Sequence, residues 1–102
     1  MDTMDKVLID LYVPSLNEHY DVYLPISRKI YEVEKLLSKM IEELSYERYK
    51  NSESVLCYYD TGKIINSNLR IIDCEIATGT RLMLLWKRMK YATINVLQEW
   101  VI

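Results

Sequence analysis

The segment Ser27–Tyr46, SRKIYEVEKLLSKMIEELSY, carries the clearest periodic pattern in this chain of 102 residues. Its apolar residues recur at three- and four-residue spacing, which is typical of an amphipathic helix. They are Ile30, Val33, Leu37, Ile41 and Leu44, with Leu36 and Met40 widening the stripe. Ser27 suits the N-cap because its hydroxyl can accept an amide hydrogen from the first turn. The pattern predicts a helix over about 27–46, ended by the polar loop 47–53.

Two strands are predicted before this helix. Residues 7–13 and 20–26 are rich in β-branched and aromatic side chains, as strands are. Alternation turns Ile9 and Leu11 to one face, and it places Val22, Leu24 and Ile26 together on the next strand. Residues 14–19, including His19, are predicted to form a loop. The two strands should therefore pair as a hairpin.

Three further strands are predicted after the helix. Residues 55–59 form one, the turn 60–63 follows, and 64–65 form a short one. An irregular or short helical stretch over 69–76 should fill the core with Leu69, Ile72 and Ile76. Residues 81–86 are apolar on both faces, so we predict a central strand there.

The predicted order of elements is β-β-α-β-β-β, with no repeat or linker inside it. One helix packed across one mixed sheet buries both the stripe and the inward strand faces. The first and last strands would lie side by side and parallel in the middle of the sheet. This is an α+β fold of the β-grasp type, predicted for residues 1–86. Residues 87–102 form a C-terminal extension, for which a helix is slightly favoured over a strand.

Scarcity of particular residue types excludes several function classes. The chain has two glycines, two prolines, two cysteines and one histidine. Gly62 and Gly79 are too far apart for a phosphate-binding loop or a dinucleotide fingerprint, and one histidine cannot make a helical zinc-protease motif. We therefore expect no cofactor and no metal. Cys74 follows Asp73, a neighbour that disfavours the thiolate, so we expect no enzyme activity either.

The charge is unevenly distributed along the chain. Residues 1–80 carry a net charge of -5 and residues 81–102 a net charge of +3. An acidic body argues against nucleic acid as a partner of the sheet. The N-terminus lacks the pattern of a signal peptide, and the longest uncharged stretch, 91–98, is too short to cross a bilayer. We expect a cytoplasmic protein.

The stretch from Leu69 to Leu84 carries a family resemblance. It reads Leu69-x-x-x-Asp73-Cys74-x-Ile76-x-x-Gly79-x-x-Leu82-x-Leu84, and it resembles the closing stretch of ubiquitin-like domains. With its N-terminal first strand and long helix, residues 5–86 look most like the YukD/EsaB type, the accessory protein of bacterial type VII secretion systems. The resemblance implies a ubiquitin-like adaptor with protein partners, such as secretion membrane components or their ATPase.

One departure from the ubiquitin-like pattern concerns covalent chemistry. Conjugated modifiers and sulfur carriers end in Gly-Gly, whereas this sequence ends Trp100-Val101-Ile102. The alternative function of a modifier or sulfur carrier is therefore disfavoured.

The predicted partner-binding site is the sheet face opposite the helix. Alternation turns Leu82 and Leu84 toward the helix and Met83 and Leu85 away from it. Cys57 and Tyr59 are outward as well, with Lys63 nearby, and Trp86 at the end of the last strand is a further candidate partner-binding residue. In ubiquitin-like proteins the corresponding face usually binds proteins, and contiguous exposed apolar area marks interaction sites. The alternative is that residues 87–102 fold back over this patch.

The extension and the tyrosines offer further candidates. The basic start and Trp100-bearing end of the extension suit a membrane surface, a protein partner or a second copy of the chain. The tyrosines of the strands could stack nucleobases, but without a basic sheet face, cross-strand aromatic packing explains them better.

Overall fold

The computed structural model describes residues 5–49 and 53–86. Its elements are β1 (Lys6–Val13), β2 (Glu18–Pro25), α1 (Ile30–Leu44), β3 (Ser54–Tyr58), a 3-10 turn (Ile71–Asp73) and β4 (Arg81–Trp86). The sheet order is β2-β1-β4-β3. β1 pairs antiparallel with β2 and parallel with β4, and β3 pairs antiparallel with β4. The predicted parallel pair at the centre of a mixed sheet is confirmed.

The core lies between α1 and one face of the sheet. Ile30, Val33, Leu37 and Ile41 of the helix are buried, as predicted. They meet the predicted inward residues of the strands, namely Ile9, Leu11, Val22, Leu24, Leu56, Leu82 and Leu84. Leu36 and Leu44, in contrast, are more than half exposed. The buried stripe is therefore narrower than the sequence predicts, because four strands cover only one side of a 15-residue helix.

The helix begins later than predicted, and Ser27 is not its cap. Ile30 N–H donates to the Leu69 carbonyl at 2.8 Å, and Tyr31 N–H donates to the Ser67 carbonyl at 3.1 Å. The Lys29 N–H donates to the Glu32 carboxylate at 3.0 Å. Loop carbonyls from 67–69 thus satisfy the first-turn amides that every helix leaves open, and this distant segment sets the start of α1.

The short strand predicted at Ile64–Ile65 is wrong for the described residues, where it is reduced to one bridge between Cys57 and Ile64. Gly62, with φ of +73°, closes a tight turn by donating its N–H to the Tyr58 carbonyl at 2.8 Å. An Asn66 side chain then accepts the Asn68 N–H and bends the chain toward the start of α1. Pairing therefore ends before a strand can extend.

Two other predictions for the loops fail, although Ile76 is buried as predicted. Ile71 is fully buried, whereas Leu69 and Ile72 are exposed, because the 3-10 turn directs only its first residue inward. Tyr49, placed by the sequence in a polar loop, is also fully buried. Its hydroxyl lies 2.7 Å from Ser54 Oγ, which satisfies its polar end inside the core.

Candidate interaction face of the sheet

The strand side chains that point away from α1 form what we call the outer face. Alternation and strand register assign them, since directly paired residues share a face. They are Leu8, Asp10, Tyr12, His19, Asp21, Tyr23, Val55, Cys57, Arg81, Met83 and Leu85, with Tyr59 just past β3. His19, predicted in a loop, lies in β2 and pairs with Tyr12. The outer face therefore mixes apolar, aromatic and charged groups.

The predicted apolar patch is present only in part. Met83 and Leu85 lie on the outer face and are half-buried, as is Tyr59. Cys57 points to the same side, but it is 1% exposed, so the prediction that it belongs to an exposed patch is wrong. Met83 pairs with Cys57 on one side and Ile64 bridges it on the other, so the short thiol side chain lies between two longer ones.

The remaining predicted site residues are Lys63 and the two tryptophans. Lys63 is exposed in the loop after β3. With Tyr58, Asp60 and Arg81, it lines a groove of about 710 Å³ at the end of that strand. Trp86 is the last residue of β4, but its side chain and Trp100 lie outside the described residues. The predicted extension, 87–102, lies outside them as well.

Three aromatic rings meet on the outer face, from β1, from β2 and from the residue just past β3. The Tyr12 ring centroid lies 4.6 Å from that of His19 and 5.8 Å from that of Tyr59, the latter edge to face. The Arg81 guanidinium lies 4.8 Å from the centroid of Tyr59 and 2.7 Å from an Asp60 carboxylate oxygen. Both the predicted cross-strand aromatic packing and a cation–π contact are present. The sequence analysis did not include Tyr12, His19 or Arg81 in the partner-binding patch. Alternation already turned Tyr12 to the face of the sheet away from Leu11.

Charge on the outer face is concentrated beside these rings. Asp10 Oδ1 lies 3.0 Å from His19 Nδ1, and Asp10 also stands directly opposite Asp21 in the β1–β2 pairing. Like charges directly opposite one another destabilise a sheet, whereas exposed ion pairs stabilise it little. This end of the face therefore has a negative character that Arg81, engaged with Asp60, balances only in part.

A second polar network joins β2 to the end of the helix region. The Tyr20 hydroxyl donates to Glu18 at 2.5 Å, and Arg48 donates to the other Glu18 oxygen at 3.0 Å. These two bonds lower the pKa of Glu18. Burial, together with the bond to Glu18, raises the pKa of Tyr20 to about 12. The network fixes the start of β2 and leaves Tyr20 neutral across the physiological range.

The described residues were also compared with the requirements of a catalytic thiol, a metal site and a membrane-spanning helix. Burial raises the pKa of the Cys74 thiol, and Asp73 raises it further, so the nucleophilic thiolate is disfavoured. Within the described ranges 5–49 and 53–86, no group of three His, Cys, Asp or Glu side chains is arranged to hold a metal ion. In the same two ranges, no helix has the length and apolar character needed to span a membrane.

No protein-family model and no curated protein matches this chain. Solved structures do match. The EccD5 ubiquitin-like domain of Mycobacterium xenopi is 20% identical, with a TM-score of 0.56 over 78% of this chain and 91% of that domain. A chain of the MycP5-free ESX-5 inner membrane complex is 14% identical, with a TM-score of 0.60 over 93% of this chain. A chain of the pParkin–pUb–UbcH7 complex is 14% identical, with a TM-score of 0.65 over 82%.

This chain spans only 27% of the ESX-5 chain and 24% of the chain from the parkin complex. At such low identity the likeness concerns the fold alone. The fold is that of a ubiquitin-like domain, with one helix packed on a mixed four-stranded sheet.

Proposed function

We propose that this chain is a non-enzymatic ubiquitin-like adaptor that binds a protein partner through its outer face, in a bacterial type VII secretion system. The observation that carries the proposal is the composition of that face. Half-buried Met83 pairs with Tyr12, whose ring packs edge to face on that of Tyr59, and half-buried Leu85 follows Met83 on the same face. Protein interfaces are enriched in such aromatic residues, methionine and arginine, with charges at the rim.

Rigid presentation of these side chains also supports binding. The β1–β4 and β3–β4 pairings hold Tyr12, Met83 and Cys57 in one row across three strands. Buried Leu82 and Leu84 anchor the same strand from the opposite side. A preorganised face loses little conformational entropy when a partner docks, so few residues can supply most of the affinity.

A sequence resemblance and a fold likeness both support the secretion setting. The closing motif from Leu69 to Leu84 resembles YukD/EsaB proteins. In addition, the EccD5 ubiquitin-like domain and a chain of the ESX-5 inner membrane complex share the fold. The expected partner is a type VII membrane component or its ATPase, on the cytoplasmic side. The raised pKa of Cys74 disfavours the thiolate that a catalytic cysteine needs.

The test is co-purification from the native host with the tagged full chain. Met83→Glu with Leu85→Glu places two charges in the centre of the face, so we expect recovery of type VII membrane components to fall at least about 10-fold, a loss typical of central interface residues. The matched control is Leu44→Glu with Ile72→Glu, two exposed apolar residues away from the face, and it should retain wild-type recovery.

The controls separate binding from folding. Both double variants should keep the wild-type circular dichroism and urea midpoint, since none of the four positions belongs to the buried core. Unchanged recovery with the folded Met83/Leu85 variant would contradict the role of the face. If the wild type recovers only partners unrelated to secretion, and the Met83/Leu85 variant loses them, the binding role of the outer face stands and the secretion setting is rejected.

A further inference from the structure

The two edges of the sheet differ in how their backbone groups are satisfied. At the β3 edge, the Leu56 N–H donates to the Glu34 carboxylate at 3.0 Å, and the Leu56 carbonyl accepts the Ile65 N–H at 3.0 Å. The next edge residue, Tyr58, donates its N–H to the Lys63 carbonyl and accepts the Gly62 N–H. The β3 edge is therefore closed by a side chain of α1 and by the loop 62–65.

The β2 edge is open. The Ile26 N–H donates to the Asp5 carbonyl, and backbone bonds alternate along an antiparallel pair. With the observed register, Leu24, Val22 and Tyr20 therefore bond to β1, whereas His19, Asp21 and Tyr23 direct their N–H and C=O groups away from it. Within residues 5–49 and 53–86, no backbone partner is found for these three residues. Unpaired edges of this kind template the addition of another strand.

An apolar groove of about 100 Å³ runs between the open edge and the helix. Its lining includes Val22, Tyr23 and Leu24 of the strand and Leu36, Leu37 and Met40 of the helix. Tyr23 is 65% exposed and Leu36 is 55% exposed. An exposed apolar side chain therefore lies on each side of the β2 edge, Tyr23 on the outer face and Leu36 on the helix.

The middle of the open edge carries an unbalanced negative charge. Asp21 is exposed and makes no ion pair with the described residues. It stands opposite Asp10, whose carboxylate is engaged with His19. A cation placed beside Asp21 would relieve the repulsion between the two carboxylates.

We propose that the β2 edge and its groove bind an extended segment of a partner protein in which a basic residue stands between two apolar residues. In a strand added to β2, the residue opposite Asp21 shares the outer face with it, and the residues on either side point toward α1. The basic side chain then pairs with Asp21 while its two neighbours enter the groove beside Leu36 and Met40. This site is independent of the function proposed above.

A second copy of the chain fits this edge less well. The antiparallel register that pairs all three edge residues between two copies places each His19 opposite Tyr23 and the two Asp21 side chains directly opposite each other. Like charges in that position destabilise strand pairing. A partner with a basic residue at the centre avoids this repulsion.

The test uses the full chain labelled with ¹⁵N and two synthetic peptides, Gly-Ser-Thr-Val-Lys-Val-Thr-Ser-Gly and the same peptide with Glu in place of Lys. Amide hydrogen exchange of the free chain comes first, and the amides of His19, Asp21 and Tyr23 should exchange rapidly. Titration to about 5 mM peptide should then shift these amides, since one short strand binds with millimolar affinity. The Lys peptide should bind about 2- to 5-fold more tightly, as opposite charges across strands allow.

Matched variants identify the surface. Asp21→Lys should reverse the preference in favour of the Glu peptide. Leu36→Asp should weaken both peptides at least about 5-fold, because it places a charge on the rim of an apolar groove. Leu44→Asp, an equally exposed position of the same helix outside the groove, should leave both affinities unchanged. Met83→Glu with Leu85→Glu should also leave them unchanged, which separates this site from the outer-face function.

Three results would overturn the proposal. Equal affinity for the two peptides would contradict the role of Asp21. Amide shifts confined to residues other than His19, Asp21 and Tyr23 would show that the peptides bind elsewhere on the chain. Slow exchange of the three edge amides in the free chain would mean that a second copy or another segment of the chain already occupies the edge.

Discussion

Replacing Glu34 tests whether a helix side chain closes the β3 edge. Glu34 is 8% exposed, and its carboxylate accepts the Leu56 N–H at 3.0 Å. Glu34→Ala removes this acceptor and leaves a buried amide without a partner, which costs about 1–3 kcal/mol. Glu34→Gln keeps a carbonyl oxygen at the same reach, so it should lose only the charge-assisted part of the bond, about 1 kcal/mol.

The measurement is the free energy of unfolding in urea for both variants and for Glu43→Ala. Glu43 is an exposed residue of the same helix, so its substitution reports the change in helix propensity alone. Relative to that control, Glu34→Ala should lose about 1.5–3 kcal/mol, as hydrogen bonds to charged groups do. The amide of Leu56 should also exchange faster in Glu34→Ala. A loss within about 0.5 kcal/mol of the control, or equal losses for Ala and Gln, would refute the reasoning.

Other substitutions test the core and the pH dependence. Ile71→Ala should lower the free energy of unfolding by about 2–5 kcal/mol, whereas Ile72→Ala, at an exposed position, should change it by less than about 0.5 kcal/mol in the same urea experiment. The folded pKa of Tyr20 is raised to about 12, so its contribution to stability is fully present below the unfolded value near 10 and is lost as pH rises toward 12. The melting temperature, measured from pH 8 to pH 11.5, should therefore fall less steeply for Tyr20→Phe than for the wild type. Parallel curves of melting temperature against pH would contradict this. The same variant should raise the pKa of Glu18 in a carboxyl NMR titration, because the Tyr20 hydrogen bond is the largest cause of its lowered value. An unchanged Glu18 pKa would argue against that bond.

The sequence predicts most of the fold because hydrophobic periodicity is a local signal. The spacing of Ile30, Val33, Leu37 and Ile41 identifies the helix and its buried side, and alternation assigns Leu82 and Leu84 to the core. The order of elements then restricts the topology to few arrangements. Strand pairing and the buried face could therefore be inferred without coordinates.

Features that depend on distant contacts could not be predicted. The loop carbonyls of Ser67 and Leu69 determine where α1 begins, and Ser54 provides the partner that allows Tyr49 to be buried. Burial of Ile71 in place of Ile72 depends on the rotation of a single 3-10 turn. No local pattern encodes these choices, because each partner belongs to another part of the chain.

The candidate site was likewise predictable only where local alternation decides which face a side chain occupies. Alternation placed Met83, Leu85 and Tyr59 on the outer face from the sequence. The burial of Cys57 and the stacking of Tyr12 with His19 follow from strand register, which alternation alone does not give. The edge position of β2 follows from the predicted topology, whereas its open backbone groups and the groove beside it depend on the strand register and on the packing of α1.

Photo-crosslinking from the outer face tests the central claim most directly. The full chain would carry p-benzoylphenylalanine in place of Met83, or in place of the exposed control residue Ile72, in the native host. The account predicts that position 83 crosslinks to a type VII secretion component, identified by mass spectrometry, and that position 72 does not. Crosslinks from position 83 only to the chain's own residues 87–102, or equal crosslinking from both positions, would contradict it.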